Sequence, residues 1–140
     1  MKRLYSAALL LILNSPILQA EQSTKYNDFE VHHTIFNSMF LNPAIASKYG
    51  LKRGENLGII NISILGTNGH VSHPINGSYK NLLGQHFVLS FRKLADENAV
   101  YFIALFDFDD ADILNFTINI SLPQGDEQIY LRKQMYRDRS

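Results

Sequence analysis

From Leu114 to Leu122 the chain alternates without a break. Leu114, Phe116, Ile118, Ile120 and Leu122 occupy one parity, and Asn115, Thr117, Asn119 and Ser121 the other. A period of two is the signature of a strand with one buried face, because successive side chains of extended backbone point to opposite sides. Pro123-Gln124-Gly125-Asp126 then stops the run with turn chemistry. The same rhythm of short apolar runs and turn residues extends over the chain from Tyr26 onward, which argues for an all-β fold.

The remaining strands follow from the same reading. Tyr26 to Leu41 carries Phe29, Val31, Ile35, Met39 and Leu41 on one parity. His33 and Asn37 fall on that same parity, so either a bulge shifts the register or both are buried and hydrogen-bonded. Leu57 to Leu65, Ile75 to Leu82, His86 to Leu94 and Gln128 to Tyr136 read as further strands, with Phe87, Leu89 and Phe91 directed inward. Ala99 to Phe108 is apolar on both parities, as expected of a central strand covered on both faces. Thr67-Asn68-Gly69 is a hairpin signal. One short helix is expected over residues 43–49, with Asn42 as N-cap, Pro43 in its first turn and Gly50 as its stop. A single helical turn is expected over Asp109 to Ile113, capped by Asp109. The sum is about seven strands, which fits a single immunoglobulin-like or fibronectin-like β-sandwich, with a small closed barrel as the alternative.

The first residues have a different character. Lys2 and Arg3 precede the apolar run Ala7 to Leu13, Ser15-Pro16 breaks it, and Leu18-Gln19-Ala20 places a small residue before a cut. That order predicts a signal peptide over residues 1–20, cleaved after Ala20, and one domain over 21–140. The apolar run falls short of the roughly 20 residues that a spanning helix needs, so no stable membrane span is expected after cleavage.

Composition narrows the function classes. Thirteen basic and thirteen acidic residues cancel, leaving no electrostatic footprint for nucleic acid. There is no cysteine, which excludes a disulfide framework, thiol catalysis and thiolate metal sites. Nine Phe and seven Tyr supply the bulk of a core that must hold the exported fold by itself.

Chemistry-bearing residues are sparse. His32 and His33 are adjacent and point to opposite faces of a strand. His70 and His73, three apart in a loop, are the weak candidates for a metal, and they lack a third ligand unless His86 or Asp107 supplies one. Ser38, Ser63, Ser72 and Ser78 sit in no nucleophile elbow. Asp107, Asp109, Asp110 and Asp112 lack the ligand spacing and glycine of a calcium loop. Asn61, Asn76, Asn115 and Asn119 begin glycosylation-type triplets that strands rich in Asn, Ser and Thr generate by chance. The candidate binding surface comprises His32, Arg53 in the Leu51–Asn56 connector, and the amide and hydroxyl row containing Asn115 and Asn119. No catalytic residue and no cofactor is expected.

The segments EVHHTIFNSMFLNPAIASKYGLKRGENLGIINISIL, INGSYKNLLGQ, LSFRKL, AVYFIALFDF and LRKQMYRD resemble a bacterial family of domains of unknown function, the one numbered 4426, from Tyr26 to Asp138. His33 departs from the aromatic residue expected there, and TNGHVSHP is more polar than the family's hairpin. The resemblance implies a short protein exported to the periplasm of a Gram-negative bacterium, and it implies no activity. The expected function is a non-enzymatic binding or protein-interaction module whose partner is a periplasmic protein or a small ligand. The alternatives are a histidine-based metal-binding protein or hydrolase, and an envelope assembly factor that pairs through a free sheet edge.

Overall fold

The structure, a computed structural model, describes residues 22–138. The expected signal segment 1–20 and its cleavage point lie outside the described residues. The strands are β1 (Gln22–Tyr26), β2 (Phe29–Asn37), β3 (Leu57–Gly66), β4 (Gly69–Val71), β5 (Ile75–Lys80), β6 (His86–Leu89), β7 (Arg92–Asp96), β8 (Ala99–Asp107), β9 (Asp112–Leu122) and β10 (Gly125–Met135). A 3-10 turn over Ser38–Phe40 and the helix α1 (Pro43–Tyr49) lie between β2 and β3. A large sheet runs β1-β2-β3-β8-β7 with β4 also on β3, and a small sheet runs β10-β9-β5-β6. Every pairing is antiparallel. The two sheets pack as a sandwich, the architecture expected from the alternation.

The strand count exceeds the expected one for three local reasons. The polar Gln22–Tyr26 pairs with β2 as an edge strand, turning at Asn27, which adopts φ +52. Gly69–Val71 folds back on the end of β3, beyond the last rung that β8 makes there. The run from His86 to Leu94 breaks at Ser90-Phe91, so that β6 stays in the small sheet while β7 joins the large one. Unbroken alternation did not reveal that switch, because both halves bury a face of the same sandwich.

Between the sheets lie Val31, Ile35, Ile60, Ile62, Ile64, Phe102, Ala104 and Phe106 from the large sheet, against Tyr79, Leu89, Phe116, Ile118, Ile120 and Ile129 from the small one. A second cluster forms on the other side of the large sheet. There Phe36, Ile59, Tyr101 and Ile103 meet Ala46 and Leu51, with Ile45 and Tyr49 packed against them. Helix α1 therefore covers the outer face of β3 and β8, which explains why Ala99 to Phe108 is apolar on both parities. The helix is as short as its capping signals require. Asn42 Oδ1 accepts from Ala44 N at 2.8 Å, and Gly50 closes the last turn at φ +64.

The register of β2 on β3 runs unbroken from Glu30↔Leu65 to Asn37↔Gly58, so there is no bulge and both His33 and Asn37 are buried. Asn37 acts as a clasp. Its Nδ2 donates to Glu55 O and Tyr136 O, each at 2.9 Å, and its Oδ1 accepts from Met39 N at 2.9 Å. The expected helical turn at Asp109 does not form. Instead Asp112 N donates to Asp109 O at 3.0 Å with Ala111 at φ +62, a tight turn that leads directly into β9.

Gly58 marks the tightest approach in the core. A Cβ there would lie 2.2 Å from Phe106 Cζ, and that ring is held by Phe116 at 5.0 Å and Tyr79 at 5.5 Å between centroids. Gly58→Ala is expected to cost about 1–3 kcal/mol in urea unfolding. Combined with Phe106→Leu it is expected to cost less than the sum of the two single changes, and strict additivity would show that the ring is not the obstacle. Asn37→Leu strands two carbonyls and one N–H and is expected to cost about 1–3 kcal/mol per stranded group. It is also expected to speed amide exchange at Arg137 and Asp138, where a rate equal to the parent's would rule out the clasp.

Candidate functional site

The residues singled out from the sequence do not converge. His32 and Ser63 are opposite one another on the outer face of the large sheet, while His33 faces Ile62 in the interior, as adjacency on a strand requires. His32 Nε2 lies 2.9 Å from Glu30 Oε1. His70 is on the outer face with its ring 5.7 Å from Tyr101 and its Nδ1 3.3 Å from Val100 O. His73 instead sits edge-on to Phe29 at 5.4 Å and lines a cleft with Phe91 and Phe102. The two histidines thus serve different surroundings. Among the described residues no three His, Asp or Glu side chains gather as a metal would require.

Arg53 Nη2 donates to Met39 O at 3.0 Å, and Ser38 Oγ bridges Gly54 O and Gly54 N at 3.0 and 2.9 Å. The connector is therefore pinned to the 3-10 turn by its own residues. Asn115 and Asn119 belong to the outer face of the small sheet, where Asn119 Nδ2 donates to Asn76 Oδ1 at 2.8 Å across the ladder. The flat amide row partly satisfies itself.

Two features that strand alternation alone does not mark carry more chemical potential. The first is the connection from β5 to β6. Asn81 Oδ1 accepts from Leu83 N at 3.1 Å and Gln85 N at 2.9 Å, Asn81 Nδ2 donates to Gln85 Oε1 at 2.6 Å, and Gly84 N donates to Asn81 O at 3.0 Å. These bonds tie the loop into a defined tip that holds Leu82 63% and Leu83 85% exposed. On β6, Val88 is 76% exposed on one face, and the half-exposed Phe87 stacks on Tyr79 at 5.0 Å on the other. Behind the tip a cleft is lined by Asn81, Gln85, Asp107, Asp109 and Asp112. The sequence signal was present in Asn81 and Gly84, but Leu82 reads as the end of a strand when only its hydrophobicity is weighed.

The second feature lies at the opposite edge of the small sheet, where β10 passes β2. Lys133 pairs with the buried Leu114, so it shares the inward parity of Ile129, Leu131 and Met135. Its side chain and that of His33 line a cleft of about 180 Å³ together with Gln22, Thr34, Tyr130 and Arg132. Burial lowers the Lys133 ammonium from its ordinary value, and burial plus the neighbouring His32 lowers the His33 imidazole. The interruption of the β2 pattern at His33 was the visible signal; its meeting with Lys133 was not.

The direction of the His33 shift has a consequence for acid stability. Above the ordinary imidazole value of about 6.5 the ring is neutral in both folded and unfolded chains. Below it the unfolded chain takes up the proton first, so folding stability falls with pH until His33 also titrates in the fold. His33→Gln is expected to flatten the urea midpoint against pH over that window. An unchanged profile would show that His33 does not govern it.

Comparison with known proteins places the chain. Among curated proteins, none matches the sequence. The crystal structure of a DUF4426 family protein from Pseudomonas aeruginosa is similar at 33% identity with a TM-score of 0.75, covering 84% of this chain and 96% of that one. Two structures of FetP from uropathogenic Escherichia coli, one of them a copper-bound variant, share the fold. Each is 10% identical, with TM-scores of 0.56 and 0.55; the first covers 82% of this chain and 94% of that one, the second 85% and 95%. The family model described as a domain of unknown function, DUF4426, matches residues 23–138, and the chain belongs to that family.

Proposed function

We propose that the protein is a non-enzymatic interaction module of the bacterial periplasm that docks a protein partner through the tip between β5 and β6. The observation that carries this reading is the side-chain-tied loop that holds Leu82 and Leu83 in water. Ordering a loop in order to expose two leucines is unfavourable for an isolated chain, and exposed apolar surface of this kind marks contact sites. The carboxylates of Asp107, Asp109 and Asp112 behind the tip select the partner's chemistry. They disfavour an anionic bilayer and suit a protein pocket with an apolar floor and a basic rim. Periplasmic residence rests on the N-terminal export pattern and on the family, and no helix among the described residues is long and apolar enough to cross a membrane. Copper binding is a property of the FetP variant. At this level of identity the likeness supports the fold, and among the described residues no group of three ligating side chains favours a metal reading.

The test places a photocrosslinking residue at Leu83 or, as a control, at Thr117 on the outer face of the small sheet, in the full chain expressed with its own N-terminus. A discrete adduct is expected from position 83 alone, lost when Leu82→Ser is added. The mass of the recovered protein is expected to begin at Glu21. Equal labelling at both positions, flotation on liposomes that depends on Leu83, or a homodimer that dissolves in Leu83→Asp would each overturn the assignment to a protein partner.

A further inference from the structure

We propose that the cleft between β2 and β10 is a binding site for a small oxyanion, a carboxylate or phosphate group, held by Lys133 and His33. The cleft is lined by Gln22, His33, Thr34, Tyr130, Arg132 and Lys133, and no carboxylate is among the side chains that line it. Lys133 and His33, each on the inward parity of its strand, thus face the cleft without a counter-charge. Lys133 and His33 have no ion pair or hydrogen bond among the described residues, unlike Arg137, whose guanidinium clasps Glu55 at 2.7 Å. An inward lysine on an edge strand also protects that edge from pairing with other chains. Protection accounts for one cation. It does not account for a buried histidine on the core parity of β2 that lines the same cleft, nor for the space between them.

The energetics favour an anionic guest. Burial disfavours the charged forms of both groups, and an oxyanion there gives a partner to each, while Gln22, opposite His33 in the β1–β2 ladder, offers a hydrogen bond. The pH dependence follows from the groups that face the site. Burial lowers both Lys133 and His33 from their ordinary values, the Tyr130 hydroxyl is bonded to Gln128, and His32 acts on His33 from the opposite face of β2. An anion in the cleft favours the protonated His33 ring, so binding draws a proton onto it and strengthens as the pH falls.

The test follows the side-chain NMR signals of His33 and Lys133 in the intact protein during titration with acetate and, separately, with inorganic phosphate. Saturable shifts of both residues are expected, at lower ligand concentration as the pH falls from about 7.5 to about 5.5. Saturation by acetate alone identifies a carboxylate ligand, and saturation by phosphate alone identifies a phosphate ligand. Lys133→Met is expected to weaken binding about tenfold or more, and Lys133→Arg to retain it. Lys25→Gln, further along β1 opposite Glu30 and outside the cleft, is expected to have no effect. If neither anion saturates, or if Lys133→Met and Lys25→Gln behave alike, the cleft is not an anion site. Should Lys133→Met fail to fold, His33→Gln carries the same comparison.

Discussion

Strands β3 and β8 are buried on both faces, and the rest of the molecule depends on that burial. One side of the pair meets the small sheet through Ile60, Ile62, Phe102 and Phe106, and the other meets helix α1 through Ile59, Tyr101 and Ile103. Two layers alone would leave the second side in water. The short helix is thus a structural cover, which is why its caps at Asn42 and Gly50 and the pinned connector behind it are so closely specified. Without disulfides, apolar burial of this kind is the main favourable term available to a chain of this size. The close packing at Gly58 and Phe106 is one place where it is concentrated.

The same arrangement decides where binding chemistry is free to exist. The outer face of the large sheet is partly occupied by the helix, and its polar residues are mostly buried. The outer face of the small sheet is solvated and self-bonded, as the Asn76–Asn119 pair illustrates. What remains are the margins of the sandwich. At one margin the hairpin between β5 and β6 extends past the core and ends in two leucines. At another, β10 passes β2 and leaves an inter-sheet gap that an inward lysine keeps polar. A rigid centre with functional margins is the general habit of two-sheet folds, where loops and edges vary without disturbing the packed interior.

Much of the fold was legible in the residues themselves. The alternation from Leu114 to Leu122 specified a strand and its buried face, the two-sided hydrophobicity of Ala99–Phe108 specified a covered central strand, and Asn42, Pro43 and Gly50 specified a helix with its ends. These are local properties, and backbone geometry converts them directly into local structure. The expected helical turn at Asp109 failed because a tight turn satisfies the same backbone groups in fewer residues. The candidate histidines His70 and His73 failed as a pair because proximity in sequence says nothing about which layer each side chain enters.

The sequence by itself determined the longest strands with their buried parities, the helix, the lack of disulfides and the family. Only the tertiary structure decided which strand joins which sheet, that the chain changes sheets at Ser90-Phe91, that Leu82 and Leu83 leave the core, and that His33 meets Lys133. The physical reason is the range of the interactions. Periodicity and capping are set by residues a few positions apart, whereas His33 and Lys133 are brought together by the packing of two sheets, which no single segment encodes.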